Sequence, residues 1–108
     1  MFQGRGSDGP VFEATCELRY GVYEYTLPER FLRPQAAVFE IGEKKRQLLL
    51  VEHETIASRI RENDGHIFGV PVWYSIGHGH LWVYPAPLEP ATIRLFYTTM
   101  GMHGWLPK

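Results

Sequence analysis

The residues best suited to chemistry in this chain are its five histidines and the carboxylates beside them. His78 and His80 flank Gly79, and on a continuous strand they would share a face, as a metal-binding pair does. A transition-metal site usually needs three or more protein ligands. No third ligand stands nearby, so the segment reads as a polar turn. Glu52, His53 and Glu54 open like an HExxH metal-binding helix, but Ala57 stands where the second histidine is required. The glutamates allow carboxylate pairs for acid–base work, yet their spacing selects none. No serine sits in a G-x-S-x-G turn. Gly4-Arg5-Gly6 is not a phosphate loop, because no strand precedes it and no helix follows. Cys16 is the only cysteine, which excludes an internal disulfide and a cysteine-based zinc site. It falls within an alternating apolar row, Phe12, Ala14, Cys16 and Leu18, and reads as a buried, inert thiol in a reducing compartment. The expectation is no catalytic residue, no metal, no cofactor and no enzymatic activity.

What remains is contact chemistry. Trp73 falls on the strand face opposite Val72 and Tyr74, while Trp82 shares a face with His80 and Tyr84. Two readings stand. Both tryptophans fill a two-layer sandwich, or exposed aromatics make a contact surface for sugar or protein. Residues 100–108 place Met100, Met102, Trp105 and Leu106 among Gly101, Gly104 and Pro107. That is too broken for a strand and too apolar for an idle tail, so it either meets a partner or folds over its own sheet. Residues 1–10 read as a flexible arm, with Phe2 its one apolar anchor besides the first methionine. Phe2, Trp73, Met100, Met102, Trp105 and Leu106 are therefore the candidates for contacts between subunits.

The elements that must position these residues follow from periodicity. Residues 11–19 alternate, with Glu13, Thr15, Glu17 and Arg19 opposite the apolar row. Residues 22–27 read as a second strand, paired with the first as a hairpin through Tyr20-Gly21. Pro28 and Pro34 bracket residues 29–33 as a loop, because proline cannot donate to a sheet ladder. Residues 36–41 form a third strand and Gly42-Glu43 a turn. Residues 45–51 form a fourth strand whose Leu48, Leu49, Leu50 and Val51 enter the interior. Residues 52–62 break the period of two. Ile56 and Ile60 are four apart, opposite a charged face, which predicts a short amphipathic helix ended near Gly65. Residues 70–76 and 80–84, joined by Gly77-His78-Gly79, form a hairpin with Val70, Val72, Tyr74 and Ile76 on one side. Residues 91–99 add a further strand.

Composition bounds the rest. The 108 residues make one domain, here residues 11–99 between the arm 1–10 and the tail 100–108. A hydrophobic share of 44% and an aromatic share of 14% suffice for a core. A net charge of −1 argues against sequence-specific nucleic-acid binding. No segment approaches the ~18 apolar residues of a membrane span. No signal peptide opens the sequence, so a membrane partner is not expected and synthesis in a cytoplasm is. The fold class predicted is mainly β: an antiparallel β-sandwich or partly open barrel of about seven strands with one short helix over residues 52–62.

Three phrases then stand in a familiar order. Residues 25–33, YTLPERFLR, give Y-x-L-P-x-x-F-L-R. After the hairpin and helix, residues 69–74 give G-x-P-x-x-Y. Residues 81–87, LWVYPAP, and the strand through Ile93, Leu95 and Tyr97 complete the set. Together, over roughly residues 18–98, the chain resembles the β-rich core of tailed-phage head-to-tail adaptor (connector or neck) proteins. Family adaptors usually carry helices on both sides of this core, whereas here about ten residues precede Val11 and a short tail follows Tyr97. The resemblance implies a non-enzymatic virion structural protein, assembled in the host cytoplasm, that forms a homo-oligomer such as a ring. Its partners would be itself and portal, adaptor or tail proteins. The alternatives are a carbohydrate- or peptide-binding β module and a capsid or tail accessory protein.

Overall fold

A computed structural model describes residues 10–63 and 67–99. Two four-stranded sheets pack face to face. The first takes its strands in the order β1 (Phe12–Leu18), β10 (Ala91–Thr99), β3 (Phe31–Ile41) and β4 (Lys44–Gln47), all antiparallel. The second runs β2 (Glu24–Thr26), β8 (His80–Tyr84), β7 (Trp73–Gly77) and β5 (Leu49–Leu50), with β5 parallel to β7. Two-residue strands β6 (Phe68–Gly69) and β9 (Ala86–Pro87) pair at one end. Helix α1 (His53–Glu62) covers part of the second sheet, against β7 and β8. The mainly β sandwich with one short helix is thus the architecture.

The inward rows of both sheets build the core. Leu18, Ala37, Phe39, Ile93, Leu95 and Tyr97 come from the first sheet. Tyr25, Tyr74, Leu81 and Val83 come from the second, and Leu48 lies between them. Each fully buried aliphatic side chain contributes about 1.5–3 kcal/mol. Tyr25 keeps its hydroxyl satisfied, donating to the Val22 carbonyl at 2.7 Å and accepting from the Arg19 amide at 3.0 Å.

Several sequence expectations change in three dimensions. Residues 22–27 do not pair with β1. The chain turns at Gly21, φ +73°, and crosses to the other sheet, where β2 pairs with β8. The Tyr25 hydroxyl pins that corner. Residues 29–33 are not a bracketed loop, because β3 begins at Phe31 and runs through Pro34. Pro34 sits opposite Tyr97, where the register slips between Phe96 and Tyr97, so its missing N–H interrupts no regular ladder there. The fourth strand is two. Leu48 donates to Ala37 in the first sheet, Leu49 donates to Val72 in the second, and the chain changes sheets between them. Only Leu48 enters the interior, while Leu49 and Leu50 are 62% and 50% exposed. Val70 and Val72 also stay exposed, because buried Pro71 takes the inward place and the strand starts at Trp73. The strand count rises to ten through this split and the short β6–β9 pair. The helix runs as expected, whereas Gly65 lies outside the described residues. The β7–β8 hairpin turns on His78 (φ 54°) and Gly79 (φ 77°). Two positive φ values match the twist of the flanking strands.

Candidate functional site

The outward face of the second sheet collects the residues that looked most reactive. Period-two alternation puts Trp73, Ser75 and Gly77 of β7 beside Tyr84, Trp82 and His80 of β8. Helix α1 closes over part of this face. Its first residue, His53, lies on Gly77 so closely that a Cβ there would run into the imidazole. His53 Nδ1 is hydrogen-bonded to Ser75 Oγ at 3.1 Å. The Trp82 ring lies 4.8 Å away and His78 meets His53 edge-on at 5.1 Å. Burial, reinforced by His78, pushes the His53 pKa down. Ser75 is fully buried. This pair has the types of a base and a nucleophile, but the hydroxyl is fully buried under the half-buried imidazole, and their bond ties the first residue of α1 to β7. Trp82 donates its indole N–H to the Gly77 carbonyl at 2.9 Å.

A second row crosses the same face. The Arg59 guanidinium sits 5.2 Å from the Trp73 ring centre. Trp73 stacks with Tyr84 at 5.7 Å, and Tyr84 with Tyr23 at 6.2 Å. Tyr23 donates its hydroxyl to the Ile67 carbonyl. Trp73 and Trp82 are both half-buried on the outward side, outside the space between the sheets. Trp73, a candidate contact residue, therefore already has aromatic and cationic neighbours within its own chain. Phe2, Met100, Met102, Trp105 and Leu106 lie outside the described residues.

The outward face of the first sheet is ionic. Arg94 bonds Glu40, with Nε to Oε2 at 2.9 Å, and also bonds Glu13. The guanidinium holds the Glu40 carboxyl below its usual range, and the two carboxylates raise the Arg94 pKa. His80 Nδ1 lies 3.0 Å from Glu24 on the neighbouring strand. Among the described residues, no group of three or more His, Cys, Asp or Glu side chains is placed to hold a metal ion. No described helix is long and apolar enough to cross a membrane.

The margins of the sandwich carry the features that sequence reasoning missed. On one side the continuous path from β4 through Leu48 to β5 closes the sandwich. It leaves Lys44, Lys45, Arg46 and Gln47 exposed beside exposed Leu49 and Leu50. Val70 and Leu88, each at least half exposed, join the three basic residues around a groove of about 530 Å³ at one end. On the other side the sandwich stays open between β1 and β2. There Cys16, Glu17, Arg19, Glu24, Thr26 and His80 line a cleft. Cys16 faces inward but is only half-buried, contrary to the buried state expected of it, because β1 is an edge strand. Its burial still raises the thiol pKa, which disfavours a reactive thiolate. The apolar run at residues 48–51 gave no sign of exposure, since a buried strand has the same composition.

No protein-family model matches the chain, and no curated protein is significantly similar to it.

Proposed function

We propose that this chain is a non-enzymatic structural protein of a tailed-phage virion, a head-to-tail adaptor or neck component that assembles with copies of itself and docks on portal or tail proteins. The observation that carries the reading is where the side chains are used. The reactive types are spent on a helix contact, with half-buried His53 of α1 over fully buried Ser75, whereas among the described residues the surface offers unpaired strand edges and exposed Leu49, Leu50, Val70, Val72 and Leu88. Exposed apolar side chains on a rigid β scaffold suit burial against protein partners. The three sequence phrases also fall at joints of this scaffold. Leu27-Pro28 leads into the turn before β3, and Pro28 accepts from the Phe31 amide at 3.3 Å. Pro71 is buried ahead of β7, and Pro87 is buried at the end of β9.

Such a protein is assembled in the host cytoplasm and ends in the virion. Native mass spectrometry and negative-stain imaging of the full chain, alone and with its cognate portal, test the reading. The expected result is a closed oligomer or a portal-bound species. A chain that stays monomeric at all concentrations and ignores the portal would remove it.

The aromatic row Trp73, Tyr84 and Tyr23 supports a second reading, a carbohydrate- or peptide-binding module. Glycan-array binding by the monomer, lost on Trp73→Ala, is the result that would favour it.

A further inference from the structure

Among the described residues the first sheet has two unpaired edges of opposite character. β1 carries Glu13 and Glu17 on its outward row, and Glu24 of β2 stands at the same open side. β4 carries Lys44, Lys45 and Arg46, all exposed and without an ion-pair partner among the described residues. Glu13 is shared with Arg94, and Arg19 and His80 also border the open side, so Glu17 is the carboxylate of the β1 row without an ion-pair partner among the described residues.

We infer that the β4 edge of one copy pairs with the β1 edge of the next, so that copies join head to tail through a sheet continuous across the subunit boundary. This rests on the self-assembly proposed above and names the surfaces that carry it. Three observations converge. First, like edges repel. A β4–β4 pairing would oppose two basic runs and a β1–β1 pairing two acidic rows, while β4–β1 opposes unlike charges. Second, strand direction fits. β1 and β3 run one way, β10 and β4 the other. Rotation about an axis along the strands preserves these directions, so β4 meets the neighbour's β1 antiparallel. Third, the contact is heterologous, the class that generates rings when the rotation closes. Arg94 bonds both Glu13 and Glu40, which puts those residues on one face, and Lys45 lies opposite Glu40 in the β3–β4 register. Setting Glu17 opposite the neighbour's Lys45 then brings Thr15 opposite Gln47 on the same row. In that register exposed Leu49 and Leu50, following directly on β4, come level with the neighbour's Glu13 and Phe12.

The test is disulfide trapping in the full chain. Thr15→Cys and Gln47→Cys are combined in a Cys16→Ala background, with each single cysteine as control. Mild oxidation should give a ladder of linked species from the double-cysteine chain and none from either single one. Dimers from Thr15→Cys alone would show β1 meeting β1 and overturn the inference. Oligomers by native mass with no ladder would overturn the edge assignment while leaving self-assembly standing. A monomer under all conditions would remove both. As a second measurement, Lys45→Glu should weaken association about tenfold or more while lowering thermal unfolding only slightly, through the Glu40 carboxylate opposite it, since close interfacial charges set both affinity and specificity. Mixing it with Glu17→Lys should restore association. Undiminished assembly of Lys45→Glu counts against the edge pairing.

Discussion

Glu13, Thr15, Arg94 and Glu40 occupy the outward face of the first sheet, whereas Trp73, Ser75, Gly77, Trp82 and Tyr84 occupy that of the second. Both sheets alternate with period two, and both turn an aliphatic and aromatic row inward. They differ in what lies outside. The first is uncovered among the described residues and is finished with a carboxylate–guanidinium–carboxylate bridge. The second faces a helix and is finished with aromatic rings, a buried hydroxyl and a glycine that admits an imidazole. The difference teaches how little an outward ionic row contributes to folding compared with an outward row that packs. Exposed ion pairs yield about 0–1 kcal/mol because solvent screens them. A buried aliphatic anchor under a helix yields several times that.

Breaking the packed face should therefore cost most. Ile56 is fully buried and is the main apolar anchor of α1. Ile56→Ala should destabilise by about 2–5 kcal/mol in a urea titration. A loss below about 1 kcal/mol would mean the helix is not an integral layer. Gly77→Ala should cost about 1–3 kcal/mol, because the new methyl meets the His53 ring. Much of that cost should vanish in a His53→Ala background, where the two changes share one contact. Additive losses in that double-mutant cycle would place the strain elsewhere.

On the ionic face, Arg94→Ala should cost far less stability than either change on the packed face, because solvent screens the pairs. Its sharper readout is the Glu40 carboxyl, whose pKa should rise toward the ordinary value by NMR titration once the guanidinium is gone. An unmoved Glu40 titration would separate the pair.

The smallest effect is a pH dependence specific to the packed face. The folded pKa of His53 lies below its unfolded value near 6.5, so the unfolded chain takes up the proton first. The contribution is fully present above that value and is lost as pH falls through it toward the depressed folded pKa. Unfolding midpoints should therefore fall between pH 7.5 and 5.5, and His53→Gln should flatten that slope. An equal slope in both chains would show that His53 does not titrate differently on folding. The carboxylates Glu40 and Glu54, held low by Arg94 and Arg61, shift in the same downward direction. Their stabilisation is present above the ordinary carboxylate value and is lost as pH falls through it toward the depressed folded pKa.

Much of the fold was legible because period two is a local signal. Residues 12–18, 73–77, 80–84 and 91–99 alternate cleanly, and each is a strand. The spacing of Ile56 and Ile60 marked α1 to within a residue. The partnership of β2 was not legible, since three residues with one inward tyrosine fit either sheet equally. Tyr25 and its hydroxyl bonds decide it. The exposure of Leu49 and Leu50 was hidden for a related reason. Three leucines and a valine look interior until the chain is seen to change sheets at Leu48.

At the candidate site, the sequence placed Trp73 and Tyr74 on opposite faces and Trp82 with Tyr84. It had no means of bringing His53 onto Gly77 across 23 intervening positions, because a helix docks by shape complementarity with a surface that exists only once the strands have paired. Residue type and alternation by themselves determined which atoms avoid water and hence that this protein is mainly β, a sandwich or a partly open barrel, with one amphipathic helix. Only the tertiary structure decided which edges stay unpaired, which outward face the helix covers and where the acidic and basic margins lie. These depend on strand order, a property of contacts distant in the chain that no local period encodes.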